Sequence, residues 1–188
     1  MTPMLGIIAS QMTGHLNTSS YESIQTVTVG SGGQASATFS SIPSTYKHLQ
    51  IRGISRDNAG TTFDNQTSMR FNGDTGSNYS YHMLYGNGSG AGTLQGSSAG
   101  AIYTYMTPEG STTGIYNGFI IDILDYANTS KNKVSRNLIG FDQNGNSASI
   151  GLCSGAWYST SAITSITLAP TSSVWAQYSS FALYGVKG

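Results

Sequence analysis

The chain has 188 residues, enough for one domain with a buried core, but only 9% of them are charged, against roughly 25% in ordinary soluble domains. The formal net charge is zero and no run of lysine or arginine occurs. Proteins that bind nucleic acid or membrane surfaces normally carry a basic patch, so we expect neither as a partner.

The first 20 residues differ from the rest of the chain. They contain an apolar patch that is too short to span a membrane and has no lysine or arginine before it, so we predict neither a signal peptide nor a membrane segment. We divide the chain into an N-terminal anchoring arm, residues 1–20, and a β-sandwich domain, residues 21–188. Apolar side chains are costly to leave in water, so the arm either packs on its own domain or docks on another subunit. The arm residues expected to make this contact are Met4, Leu5, Ile7, Ile8 and Leu16.

From residue 21 onward, short alternating segments are separated by turn residues, and no amphipathic helix pattern occurs. About ten strands are predicted, and residues 86–100, which are rich in glycine, are predicted to form a long loop. This pattern predicts an all-β fold, a jelly-roll-like antiparallel β-sandwich with an extended N-terminal arm. The predicted strands cover residues 23–29, 35–39, 48–55, 67–71, 79–85, 101–106, 119–127, 134–142, 147–153, 162–168 and 176–186.

Two aspartates lie within one apolar strand, Asp122 and Asp125. Side chains alternate along a strand, so these two point to opposite faces and do not form the close carboxylate pair that glycosidases use. We expect Asp122 to pair with an arginine, for which Arg52, Arg70 and Arg136 are candidates. Asp125 is expected to accept hydrogen bonds in the following turn.

The face of this strand that carries Asp122 also carries Ile120, Leu124 and Tyr126. Because that face is largely apolar, we expect a neighbouring subunit or a loop to cover it.

No residue set indicates catalysis, a metal site or a cofactor. His15, His48 and His82 lack the spacing of zinc ligands, and Cys153 lies in a strand where a buried, inert thiol is expected. Residues 72–78 and 142–146 could offer oxygens to calcium, but they lack the acidic density of a calcium loop and are predicted to be turns.

Several aromatic residues could form a contact surface. Aromatic rings beside amide and carboxylate groups bind neutral polar ligands such as sugars, and they also dominate subunit interfaces. Both interpretations stay open for Tyr79, Tyr81, Tyr85, Trp157 and Tyr158.

Several strings resemble, in the same order, a family of small virion structural proteins of tailed bacteriophages. They are "YESIQTVTVGSGG", "FSSIPSTYKHLQIRG", "MRFNGDTGSNYSYHMLYGNG", "FIIDILDYANTSKNK", "AITSITL" and "AQYSSFALYGVKG", preceded by "MLGIIASQMTGHL". The resemblance implies a jelly-roll-like sandwich without catalytic residues that assembles with other virion proteins, as a capsid decoration (cement) protein or a tail-fibre-like protein. By analogy it implies a homotrimer, made in the host cytoplasm and located in the virion.

Two other functions remain as alternatives. One is a module of the tail that binds a host-surface glycan or receptor through the aromatic residues. The other is an enzyme such as a glycan hydrolase, which would depend on the two aspartates.

Overall fold

The computed structural model of the chain describes residues 20–59, 66–105, 114–143 and 148–188. These ranges contain twelve strands and no helix. The strands are β1 (Tyr21–Thr28), β2 (Ala37–Phe39), β3 (His48–Ser55), β4 (Thr67–Phe71), β5 (Tyr79–Gly86), β6 (Ala91–Ala99), β7 (Ile102–Thr104), β8 (Asn117–Leu124), β9 (Lys133–Asp142), β10 (Ala148–Trp157), β11 (Ile166–Pro170) and β12 (Ser180–Val186). The described residues therefore offer no helix that could cross a membrane.

The strands form two antiparallel sheets. The large sheet has eight strands in the order β1-β12-β3-β8-β9-β10-β5-β6, and the small sheet has four in the order β2-β11-β4-β7. The sheets pack face to face, which confirms the predicted β-sandwich. The jelly-roll arrangement in particular stays a prediction.

The core lies between the sheets because each strand alternates apolar residues toward the other sheet. In β8, Phe119, Ile121 and Ile123 are buried while the residues between them face outward. The small sheet contributes its own inward set, and the two sets form one cluster. Core residues include Leu49, Ile51, Phe181 and Leu183 from the large sheet and Phe39, Met69, Phe71, Ile166 and Leu168 from the small sheet.

The prediction of a loop over residues 86–100 is wrong. Most of that stretch is β6, which pairs with β5 and forms one edge of the large sheet. Its glycines leave room for aromatic rings: a Cβ at Gly92 would lie 2.5 Å from the Tyr85 ring, and one at Gly96 would lie 2.5 Å from the Tyr81 ring. These glycines lie in a strand because aromatic rings pack closely against it. Their usual preference for turns led to the wrong prediction.

The prediction that Tyr126 faces outward beside Ile120 is also wrong. Strand β8 ends at Leu124, and Asp125 has a φ of 48°, in the left-handed region. This turn breaks the alternation and places Tyr126 in the core, fully buried, with its hydroxyl donating to the Pro43 carbonyl.

Candidate docking surface

The outer face of the large sheet carries a row of exposed apolar side chains. Ile120 on β8, Leu138 on β9, Leu152 on β10 and Leu84 on β5 lie directly opposite one another in register. Their exposed fractions run from 37% for Ile120 to 56% for Leu152. We call these four residues the leucine row. It crosses four adjacent strands of the eight, β8, β9, β10 and β5.

Two further rows flank the leucine row on the same outer face. The row on one side combines two isoleucines with glycines and an alanine, and we call it the glycine row. The row on the other side is hydrophilic, and we call it the polar row. The glycine row is Ile54, Gly118, Gly140, Ile150, Gly86 and Ala91, in strand order β3-β8-β9-β10-β5-β6. In the same order, the polar row is Gln50, Asp122, Arg136, Ser154, His82 and Gln95.

The outer face is not flat. A depression of about 620 Å³ reaches from Leu84 and Leu152 toward the polar row, and a second of about 320 Å³ reaches from the same two leucines toward Ile150 and Ala91. The surface therefore has apolar ridges with shallow space on both sides, a shape that a partner's side chains can fill.

The small sheet shows the contrast. Its outer face carries Thr38, Thr167 and Arg70 at neighbouring register positions, and the two threonine hydroxyls lie 3.2 Å apart. A hydrophilic outer face is what solvent requires. Contiguous exposed apolar residues mark contact sites instead, so the large sheet is the candidate docking surface.

Asp122 lies in the polar row and is fully engaged within the chain. Its carboxylate accepts from Arg136 Nη2 at 3.1 Å and from Gln50 Nε2 at 2.7 Å. The prediction of an arginine partner is confirmed for Arg136, whereas Arg70 donates to the Gly100 carbonyl.

Asp125 accepts hydrogen bonds from the following turn, as predicted, and it also holds an ion pair outside that turn. Its carboxylate pairs with Lys131 and, at 3.3 Å, with Lys47, while its backbone carbonyl accepts from the Asn128 amide at 3.0 Å. The turn is thus held by both the carboxylate and the main-chain carbonyl of Asp125. The hydrogen bond from Lys131 lowers the pKa of Asp125 below its ordinary value.

Burial also contradicts the predicted aromatic contact surface at three positions. Tyr79, Tyr81 and Trp157 lie in the core, where no external ligand reaches their rings. They point inward because each occupies an inward position of β5 or β10. Tyr85 is half-buried, and Tyr158 is 57% exposed.

The buried rings pack on one another. Tyr79 stacks on Trp157 with ring centroids 6.3 Å apart, and Tyr81 meets Tyr103 edge to face at 5.5 Å. Trp157 Nε1 donates to Asp74 at 2.7 Å. These contacts explain the aromatic richness of the region as core packing.

The remaining chemistry-bearing groups have structural surroundings. Cys153 is buried, as predicted, and burial raises the pKa of its thiol to about 12. Lys133 is fully buried and donates to the carbonyls of Asn128, Lys131 and Thr160 at 2.6–3.0 Å. Within the described ranges, no three histidine, cysteine or acidic side chains are placed to hold a metal.

The predicted anchoring residues Met4, Leu5, Ile7, Ile8 and Leu16 lie outside the described residues. Of the leucine row, only Ile120 was predicted to lie on an apolar outer face. Leu138 shares the outward face of β9 with Val134, and Leu152 shares the outward face of β10 with Ile150. This even spacing of apolar residues was the signal that could have identified both leucines.

Comparison with models of protein families, with curated proteins and with solved structures finds no match to this chain.

Proposed function

We propose that this chain is a non-enzymatic structural protein of a bacteriophage virion. In this proposal it sits on the particle surface, as a capsid decoration (cement) protein or a tail-fibre-like protein, and packs against other copies or other virion proteins. The virion location is proposed from the sequence resemblance. The packing against other copies or proteins is proposed from the outer face of the large sheet.

The observation that carries an assembly role is the leucine row. Burial of apolar surface contributes about 25 cal/mol per Å², so four half-exposed leucine and isoleucine side chains favour contact with a partner. The low charge of the chain adds to this, because little repulsion keeps neighbouring copies apart.

Both alternative functions have weaker support. Three of the five aromatic residues on which glycan binding would depend are buried. The two aspartates on which an enzyme would depend hold separate ion pairs, Asp122 with Arg136 and Asp125 with lysines.

Incorporation into particles tests the proposal. Phage particles are assembled with wild-type protein, with Leu152→Asp or with Thr38→Asp, and the purified particles are analysed by quantitative mass spectrometry and by electron microscopy with an antibody to the chain. We expect wild type and Thr38→Asp in the particles and Leu152→Asp depleted from them. Absence of the wild-type chain from purified particles would contradict the virion role.

The arm is tested separately by deleting residues 1–20. We expect a folded domain that no longer joins particles. Normal incorporation of the truncated chain would contradict an anchoring role for Met4, Leu5, Ile7, Ile8 and Leu16.

A further inference from the structure

The three rows of the outer face have a symmetry that points to one particular occupant. The leucine row has two members on each side of the boundary between β9 and β10: Ile120 and Leu138 on one side, Leu152 and Leu84 on the other. We propose that this face binds a second copy of the chain, about a two-fold axis that runs parallel to β9 and β10 and through the middle of this row. The proposal goes beyond a virion role and does not depend on it.

Such an axis pairs each strand with a defined strand of the other copy. It places β9 over β10, β8 over β5, and β3 over β6, because these pairs are equally distant from the boundary in the sheet order. Two sheets that pack face to face keep nearly aligned strands, so residues of one row meet residues of the same row. In the leucine row, Leu138 then faces Leu152 and Ile120 faces Leu84, so apolar side chains cover one another. The same row continues to Arg52 on β3 and Thr93 on β6, which the axis places opposite each other at the rim.

In the glycine row, each large residue meets a small one. Ile150 faces Gly140, Ile54 faces Ala91, and Gly118 faces Gly86. Ile150 is 62% exposed in the single chain, and the space over Gly140 is open: a Cβ there would meet only the Ser149 carbonyl oxygen at 3.7 Å. Each isoleucine of the row thus has a small residue opposite it, which close packing requires.

The polar row brings hydrogen-bond donors opposite acceptors. Asp122 faces His82, whose imidazole has an N–H donor in either protonation state, and Arg136 faces Ser154. Gln50 faces Gln95. No like charges are brought together, which is a condition for a self-associating face.

The area is of the right size. The three rows span five residues along each strand, and the exposed Leu124 and Val134 beyond the polar row extend the face to seven. Six strands at about 4.8 Å spacing and seven residues at about 3.3 Å give a face of about 29 by 23 Å, or roughly 670 Å² per copy. A stable interface buries about 800 Å² per partner, so this face comes near that value without other contacts. A two-fold pair also predicts an even number of copies, whereas the resemblance implied a trimer.

The first test is the mass of the full chain in solution, by analytical ultracentrifugation over a concentration series. We expect twice the 19.7 kDa chain mass for wild type and for Thr38→Asp, which adds the same charge to the outer face of the small sheet. Leu138→Asp would bury two carboxylates in each pair, one from each copy. We therefore expect the dissociation constant of the pair to rise about 100-fold or more, with the circular dichroism spectrum of the chain unchanged.

The second test is a size swap that only this geometry explains. Gly140→Val has room in the single chain but meets Ile150 of the second copy, so we expect weaker association and an intact fold. Adding Ile150→Ala in the same chain reopens the space and is expected to restore association by at least tenfold relative to Gly140→Val alone. Failure of this rescue, with both variants folded, would overturn the proposed axis.

Other occupants give other results. A monomeric wild type that associates only after deletion of residues 1–20 would show that this segment covers the face, and would overturn the proposal. A trimeric mass, or a monomer whose state is unaffected by the deletion, would overturn it as well. None of these results bears on whether the chain is found in particles, so the two proposals fail separately.

Discussion

At Asp74, one carboxylate organises the turn between β4 and β5. It accepts from Gly76 N at 2.8 Å, Asn78 Nδ2 at 2.9 Å and Trp157 Nε1 at 2.7 Å. The bond from Trp157 is the chief cause that lowers the pKa of Asp74, and those from Asn78 and Gly76 add to it. The turn prediction for residues 72–78 is thereby confirmed.

Removing this acceptor is expected to be costly because it leaves the buried indole N–H unpaired. We predict that Asp74→Ala lowers the free energy of unfolding by about 2 kcal/mol, and that Asp74→Asn, which keeps one acceptor, lowers it by less. Urea unfolding at pH 7 measures both. Equal stability of wild type and Asp74→Ala would contradict the role of the carboxylate.

The same site predicts a pH dependence with a definite sign. Because the folded pKa of Asp74 is below its ordinary value of 3.8, its stabilising contribution is complete above that value and is lost as the pH falls through the folded pKa. We expect the stability difference between wild type and Asp74→Asn to stay constant from about pH 7 to 5 and to shrink below about pH 4. A difference that grows on acidification would contradict the assignment.

At the scale of elements, Lys133 joins the turn after β8 to the segment after β10. Its ammonium group donates to carbonyls in both, at Asn128 and Thr160. We predict that Lys133→Met lowers the free energy of unfolding by about 2–4 kcal/mol, because three carbonyls lose the ammonium donor of a fully buried side chain. Lys131→Met, two residues away at an exposed ion pair, is expected to cost less than about 1 kcal/mol. Similar losses of unfolding free energy for the two variants, measured by denaturant unfolding, would contradict the proposed role of Lys133 in joining the two segments.

The edge strand β6 depends on its glycines. Gly96→Ala would force the buried Tyr81 ring to move, so we predict a loss of about 1–3 kcal/mol. Gly90→Ala, in the adjoining turn, meets nothing within 4 Å and is expected to change stability by less than about 0.5 kcal/mol. Thermal unfolding of the two variants compares them, and an unperturbed Gly96→Ala would show that β6 does not pack as described.

These elements show what the sequence could and could not predict. Alternation correctly identified the inward faces of β2 and β8, since a period of two is a local property. It failed where a residue's conformation depends on distant parts of the chain. Gly96 looks like loop until Tyr81 is placed above it, and Tyr126 looks outward until the left-handed Asp125 turns the chain.

The candidate docking surface also has features that the sequence could predict and features that it could not. The arginine partner of Asp122 was predictable as a residue type, but the choice of Arg136 follows from the register of β8 against β9. The leucine row is a property of four strands side by side, and no single segment reveals it. Tyr79 and Trp157 were predicted as contact residues because they are aromatic, but they occupy inward positions and belong to the core.

For the whole molecule, the two outer faces differ in kind. The small sheet presents threonines and an arginine to solvent, whereas the large sheet presents the leucine row. In a chain with few charges, this asymmetry directs association to one face. Covering that face removes its apolar side chains from water, which favours the assembled state over the single chain.

Hydroxyl-radical footprinting of the full wild-type chain, read residue by residue by mass spectrometry at low and high protein concentration, tests this claim most directly. Leu138, Leu152 and Ile150 report on the docking face, and Tyr178, which is 66% exposed and lies in the segment after β11, is the internal reference. The account predicts that oxidation of the three reporters falls severalfold at high concentration while Tyr178 is oxidised equally at both. Equal oxidation of the docking face at both concentrations, in a chain shown to be monomeric at the lower one, would contradict it.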